Sequence, residues 1–151
     1  MTAPQRPPPP PISTSLRPAL GLMAGLGITV LIVFTGVTIS TLAALRGQDA
    51  QHYVAPSWTY PTHLIISALG AAAGAMATAR ITAERSAYSV YLLALILMMS
   101  ALGPVVRHVP PTAGQPAWYA LSLAIVSPLA ALAAGLLVRR SDSLRRSAEA
   151  T

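Results

Sequence analysis

The chain has 151 residues, 54% of them hydrophobic and only 9% charged, where a soluble domain usually carries about 25% charged residues. So little charge cannot cover a water-facing surface. The net charge of +6 does not mark a nucleic-acid binder either, because the arginines form no basic face and instead punctuate long uncharged runs, as helix flanks do in a bilayer.

Cysteine is absent, which excludes disulfides, thiolate metal sites and cysteine nucleophiles. Lysine and asparagine are absent too, while alanine, proline and arginine are abundant. Those three residues have GC-rich codons, so the composition suggests a bacterium with GC-rich DNA.

Residues 1–18 are dominated by Pro4, Pro7 to Pro11 and Pro18. Proline fixes φ and removes a donor, so this segment is expected to be a polyproline II or disordered tail. The first uncharged run follows, from Ala19 to Leu45 between Arg17 and Arg46. As a helix it would reach about 40 Å, longer than the roughly 30 Å hydrocarbon core of a bilayer, so it must tilt or project. A cleaved signal has an apolar stretch of only about 7–15 residues. The run therefore reads as an uncleaved signal anchor.

Three further runs span about 58–80, 86–106 and 116–140, each flanked by arginine. Each is near the roughly 20 residues a spanning helix needs. None alternates apolar and polar positions as a barrel strand would. The expected fold class is all-α: an integral membrane protein whose four transmembrane helices form an up-down-up-down bundle over residues 19–140. The connections are short, which makes successive helices antiparallel neighbours. Residues 141–151 form a polar tail with Arg145 and Arg146, expected as a frayed helical extension. No internal repeat of the inverted-transporter kind is evident.

Arginine also gives an orientation. Arg6, Arg17, Arg80, Arg85, Arg139, Arg140, Arg145 and Arg146 fall on one side, and only Arg46 and Arg107 on the other. By the positive-inside rule both termini are expected in the cytoplasm. Trp58, Tyr60, Trp118 and Tyr119 would then form an outer interfacial belt, with Tyr88 and Tyr91 near the inner interface.

The second run ends in Gly70-x-x-x-Gly74 followed by Ala77-Thr78-Ala79-Arg80. The fourth opens with Pro116-Ala117-Trp118-Tyr119 and continues through Pro128-x-Ala130-Ala131 to Gly135 and paired arginines. In these features the chain resembles a group of small four-helix bacterial inner-membrane proteins. The resemblance runs from the second helix to Arg140. It implies an architecture and carries over no functional residue.

No charged residue lies inside the four runs short of their terminal arginines, whereas ion pathways and proton relays place ionisable groups within the bilayer. The acidic residues Asp49, Glu84, Asp142 and Glu149 all lie in connections or the tail. No phosphate loop, H-E-x-x-H motif or catalytic triad order is present. No catalytic, cofactor-binding or metal-binding residue is therefore assigned, and no cofactor is expected.

Two helix faces carry the clearer signal. His63, Ser67, Gly70, Ala71, Gly74 and Thr78 share one arc of about 100° on the second helix, with Leu69 and Met76 opposite. On the fourth, Ala120, Ala124, Ser127, Ala131, Ala134 and Gly135 share another. Lipid is as apolar as leucine, so helices in it associate through close contact of small residues. Gly70, Gly74, Thr78, Ser127, Ala131 and Gly135 are thus the candidate packing residues, within the bundle or against another subunit.

His63 is a candidate polar site, either a ligand or simply an interfacial histidine hydrogen-bonded to a loop carbonyl or water. Convergence of His52, His63 and His108 could bind a metal or haem. Pro128 removes the helical donor to the Ala124 carbonyl, so a bend is expected there.

The leading functional expectation is a non-enzymatic structural or accessory membrane protein, assembling with itself or with a larger membrane complex, with the lipid bilayer as its surroundings and no nucleic acid. The alternatives are a small transporter or channel subunit for a neutral or hydrophobic solute, and a haem- or metal-binding redox component.

Overall fold

The computed structural model describes residues 12–46, 55–82, 86–106 and 115–149. All four elements are helices: α1 (Ile12–Leu45), α2 (Thr59–Thr82), α3 (Ser86–Val106) and α4 (Ala117–Glu149). By length and composition, three of them are long and apolar enough to cross a membrane: α1, α2 and α4. The described apolar stretch of α3, Ala87–Gly103, is shorter.

Three helix boundaries follow from local chemistry. α1 begins at Ile12, earlier than the expected tail boundary at residue 18. Pro18 lies inside the helix, close enough to its start that it deprives only the Thr14 carbonyl of a donor. α2 opens on a turn in which Thr59 N donates to the Pro56 carbonyl oxygen at 3.0 Å. Pro61 falls in the first turn, where an N–H has no helical partner to lose. α4 follows directly on Pro116 and continues past the paired arginines to Glu149, so the expected extension of the fourth helix is helical over nearly its whole length. The helix also runs through Pro128 without a break.

The packing inverts the usual size order of a protein interior. The core is built of Ala71, Ala75, Ala79, Ala131 and Ala134, with Val90, Leu93 and Val138. The large side chains face outward: Leu31 is 66% exposed, Phe34 71%, Leu69 62% and Leu137 67%. Small residues inside let helix backbones approach, and a soluble domain gains nothing by turning its leucines to water.

α2 is the central helix. It packs extensively on α1 and on α4, and α3 packs chiefly on α4. The strong α2–α4 contact joins helices that are not consecutive, while the consecutive pair α2 and α3 touch less. The bundle is therefore two helix pairs, α1–α2 and α3–α4, held together across α2 and α4. Tyr60 of α2 meets Trp118 and Tyr119 of α4 edge-on, with ring centroids 6.4 and 5.3 Å apart, so the first turns of these two helices lie at the same end of the bundle.

Candidate functional site

The small face of α2 meets a matching face on α1. α1 carries Gly21-x-x-x-Gly25-x-x-x-Thr29, and α2 carries Gly70-x-x-x-Gly74-x-x-x-Thr78. The two triplets run in opposite directions and interlock. A Cβ on Gly25 would lie 2.6 Å from the Gly74 carbonyl oxygen and would overlap the Thr78 hydroxyl. A Cβ on Gly74 would overlap the Thr29 hydroxyl and the Gly25 carbonyl oxygen. Each threonine thus occupies the space left by the other helix's middle glycine.

The hydroxyls are satisfied in the same reciprocal way. Thr78 Oγ1 donates to the Gly21 carbonyl oxygen at 3.1 Å. Thr29 Oγ1 shares its proton between the Gly25 carbonyl oxygen at 2.9 Å and the Gly70 carbonyl oxygen at 3.2 Å. Both threonines are almost fully buried. Where water is excluded, a hydroxyl must find its partner within the protein, and only glycine lets it reach a carbonyl on the opposite backbone.

Gly70, Gly74 and Thr78, expected from sequence as packing residues, are all buried at this interface. Their partners Gly21, Gly25 and Thr29 were not singled out, although the same spacing was present in the first run. Leu69 and Met76, expected on the opposite side of the second helix, are exposed. On α4, Ser127, Ala131 and Gly135 are buried. Gly135 packs against α3, where a Cβ would lie 2.6 Å from Val90. Ala131 belongs to the core shared by α2, α3 and α4.

His63 is half-buried on the α1-facing side of α2, with its Nε2 2.8 Å from Ser40 Oγ of α1. Ser40 Oγ also donates to the Val37 carbonyl oxygen at 2.9 Å. A hydroxyl has one proton, so with that proton on Val37 the His63 Nε2–H is the donor to Ser40. The histidine's partner is a hydroxyl on the neighbouring helix, not a loop carbonyl. His52 and His108, which a shared metal or haem site would require, lie outside the described residues. Among the described residues no three His, Asp or Glu side chains come together.

A second feature was not foreseen. α1 touches α3 much less than it touches α2, and a cleft of about 520 Å³ lies between α1 and the α3–α4 pair. Val33 and Phe34 of α1, Leu97 and Ala101 of α3 and Leu123 of α4 line it, together with Ser67 of α2 and Ser127 of α4.

Comparison of the chain with protein-family models, with curated proteins and with solved structures gives no match. The likeness to small four-helix inner-membrane proteins rests on the quoted residues alone.

Proposed function

We propose that this chain is a non-enzymatic integral protein of a bacterial inner membrane. Its four helices cross the bilayer up-down-up-down, with α3 as the shortest span and both termini in the cytoplasm. Its role is structural or accessory, within a homo-oligomer or a larger membrane complex.

The observation that carries this reading is how the polar side chains of the α1–α2 interface are used. Thr29, Thr78, Ser40 and His63 all bond within it. These four side chains spend their hydrogen bonds on holding the two helices together. The outward leucines and phenylalanine support a lipid environment, since a large continuous apolar exterior on a water-soluble monomer is rare.

The test is the mass of the protein extracted from its native membrane into nanodiscs. The proposal expects a defined oligomer or a stoichiometric complex. A monomer without partners that carries a neutral solute across proteoliposome membranes would instead support a small transporter or channel. The cleft beside α1 is the observation in favour of that second reading.

A further inference from the structure

Serine and threonine in apolar helices normally return their proton to a carbonyl one turn back. Thr62, Thr82 and Ser100 do so here, each at 2.8 Å. Ser67 and Ser127 do not. Both are more than nine-tenths buried, both line the cleft, and among the described residues neither hydroxyl has a hydrogen-bond partner.

Their depth matches. Ser67 lies roughly 12 Å along α2 from Thr59 and Ser127 roughly 15 Å along α4 from Ala117, at 1.5 Å per residue. The ring contacts of Tyr60 with Trp118 and Tyr119 put those two starting points at one end of the bundle. The two hydroxyls therefore sit at a similar level, near the middle of a hydrocarbon core about 30 Å thick. A phospholipid's polar groups lie at the interface and cannot reach that depth, and its acyl chains accept no hydrogen bond.

We propose that this cleft binds an uncharged lipophile bearing a carbonyl group, whose oxygen accepts hydrogen bonds from Ser67 and Ser127. The remaining lining is mostly apolar, with Thr29, Thr38 and Ser100 as its other hydroxyls, and contains no charged side chain, which fits a neutral molecule and rejects an ion. The volume falls within the roughly 300–1,000 Å³ of small-molecule sites. Phe34 lines the cleft and is also exposed on the protein surface, so the ligand can enter sideways between α1 and α3. The inference rests on the membrane-spanning reading and on the helix packing, and holds whether the protein is an accessory subunit or moves a solute.

The experiment is photolabelling of the full chain in nanodiscs with tritiated benzophenone, an apolar ketone, in competition with diphenylmethane, which has a similar shape and no carbonyl. Saturable labelling of peptides that contain Phe34, Leu97 or Leu123 is expected, with diphenylmethane competing at least tenfold less well than unlabelled benzophenone. Ser67→Ala and Ser127→Ala should each weaken half-saturation about fivefold, the loss of one neutral hydrogen bond, with melting temperatures unchanged. Ala101→Trp, which fills the cleft and leaves both serines in place, should abolish labelling. Labelling that does not saturate, equal competition by diphenylmethane, or indifference to both serine changes overturns the proposal. Cross-links joining two copies through the cleft also overturn it, since they would make a second chain the occupant.

Discussion

Gly25 and Gly74 meet backbone to backbone. A Cβ on Gly25 would come within 2.6 Å of the Gly74 carbonyl oxygen, and the reverse substitution would be tighter still. On either side of this contact a threonine reaches across to the other helix's first glycine, Thr78 to Gly21 and Thr29 to Gly70. The α1–α2 pair is therefore locked by one short motif used twice in antiparallel register.

The two threonines are not equivalent. Thr78 gives its proton wholly to α1, whereas Thr29 shares its proton with a carbonyl of its own helix. Valine preserves the shape and removes the hydroxyl. Thr78→Val should therefore lower stability more than Thr29→Val, by about 0.6 kcal/mol and up to about 1.7 kcal/mol, the range measured for interhelical hydrogen bonds in membranes. Unfolding in mixed micelles measures both. A larger loss for Thr29→Val would show that its bond to Gly70 dominates.

His63 and Ser40 form one interhelical bond and should behave as a pair. His63→Ala and Ser40→Ala are each expected to destabilise modestly, and the double variant by less than their sum, as residues in direct contact do. Full additivity would mean that the bond contributes nothing. The purified protein should show no Soret band. A band that disappears in His63→Ala would give the histidine a ligand role.

The second helix's packed face could be read from its sequence because both features that define it are local. Glycine spacing gives the arc, and Leu69 and Met76 give its opposite. Gly21, Gly25 and Thr29 were harder to see. The first run is long and apolar on every side, so no polar–apolar contrast marks its buried stripe. The cleft was not legible at all. It arises because α2 packs on α4 while α1 touches α3 much less, an arrangement among non-consecutive helices that no local pattern encodes. Ser67 and Ser127 were recognised as members of small faces, but their unpartnered hydroxyls depend on that arrangement.

Orientation follows from arginine placement. A reporter active only in the periplasm should be silent when fused after Thr151 and active when inserted between Gly47 and Ser57. The opposite pattern would reverse the topology. Activity at both sites would mean that the chain crosses an odd number of times, with α3 as the helix that fails to span.

Substitutions along the α1–α2 interface should be graded by what a new side chain would meet. Gly74→Leu must displace the Gly25 backbone and the Thr29 hydroxyl. Overpacking of this kind costs about 1–3 kcal/mol. Ala73 is only half-buried, and Ala73→Leu should cost less. If Gly74→Leu left the monomer intact and abolished only an oligomer, the face would be external. Gly36 should fall between the two, because a Cβ there meets the side chain of Ile66 at 2.6 Å and no backbone.

The most direct test of the interlocked α1–α2 interface compares two single-methyl additions on one helix. Gly25 faces the Gly74 backbone, and Gly27 has nothing within 4 Å of a new Cβ. Thermal unfolding of Gly25→Ala and Gly27→Ala in the same detergent isolates packing from helix propensity, since propensity alone favours alanine at both positions by up to about 1 kcal/mol. The expected result is a marked fall in melting temperature for Gly25→Ala and an unchanged or higher one for Gly27→Ala. Equal shifts in the two variants, or a Gly25→Ala protein as stable as the parent, would contradict the interface.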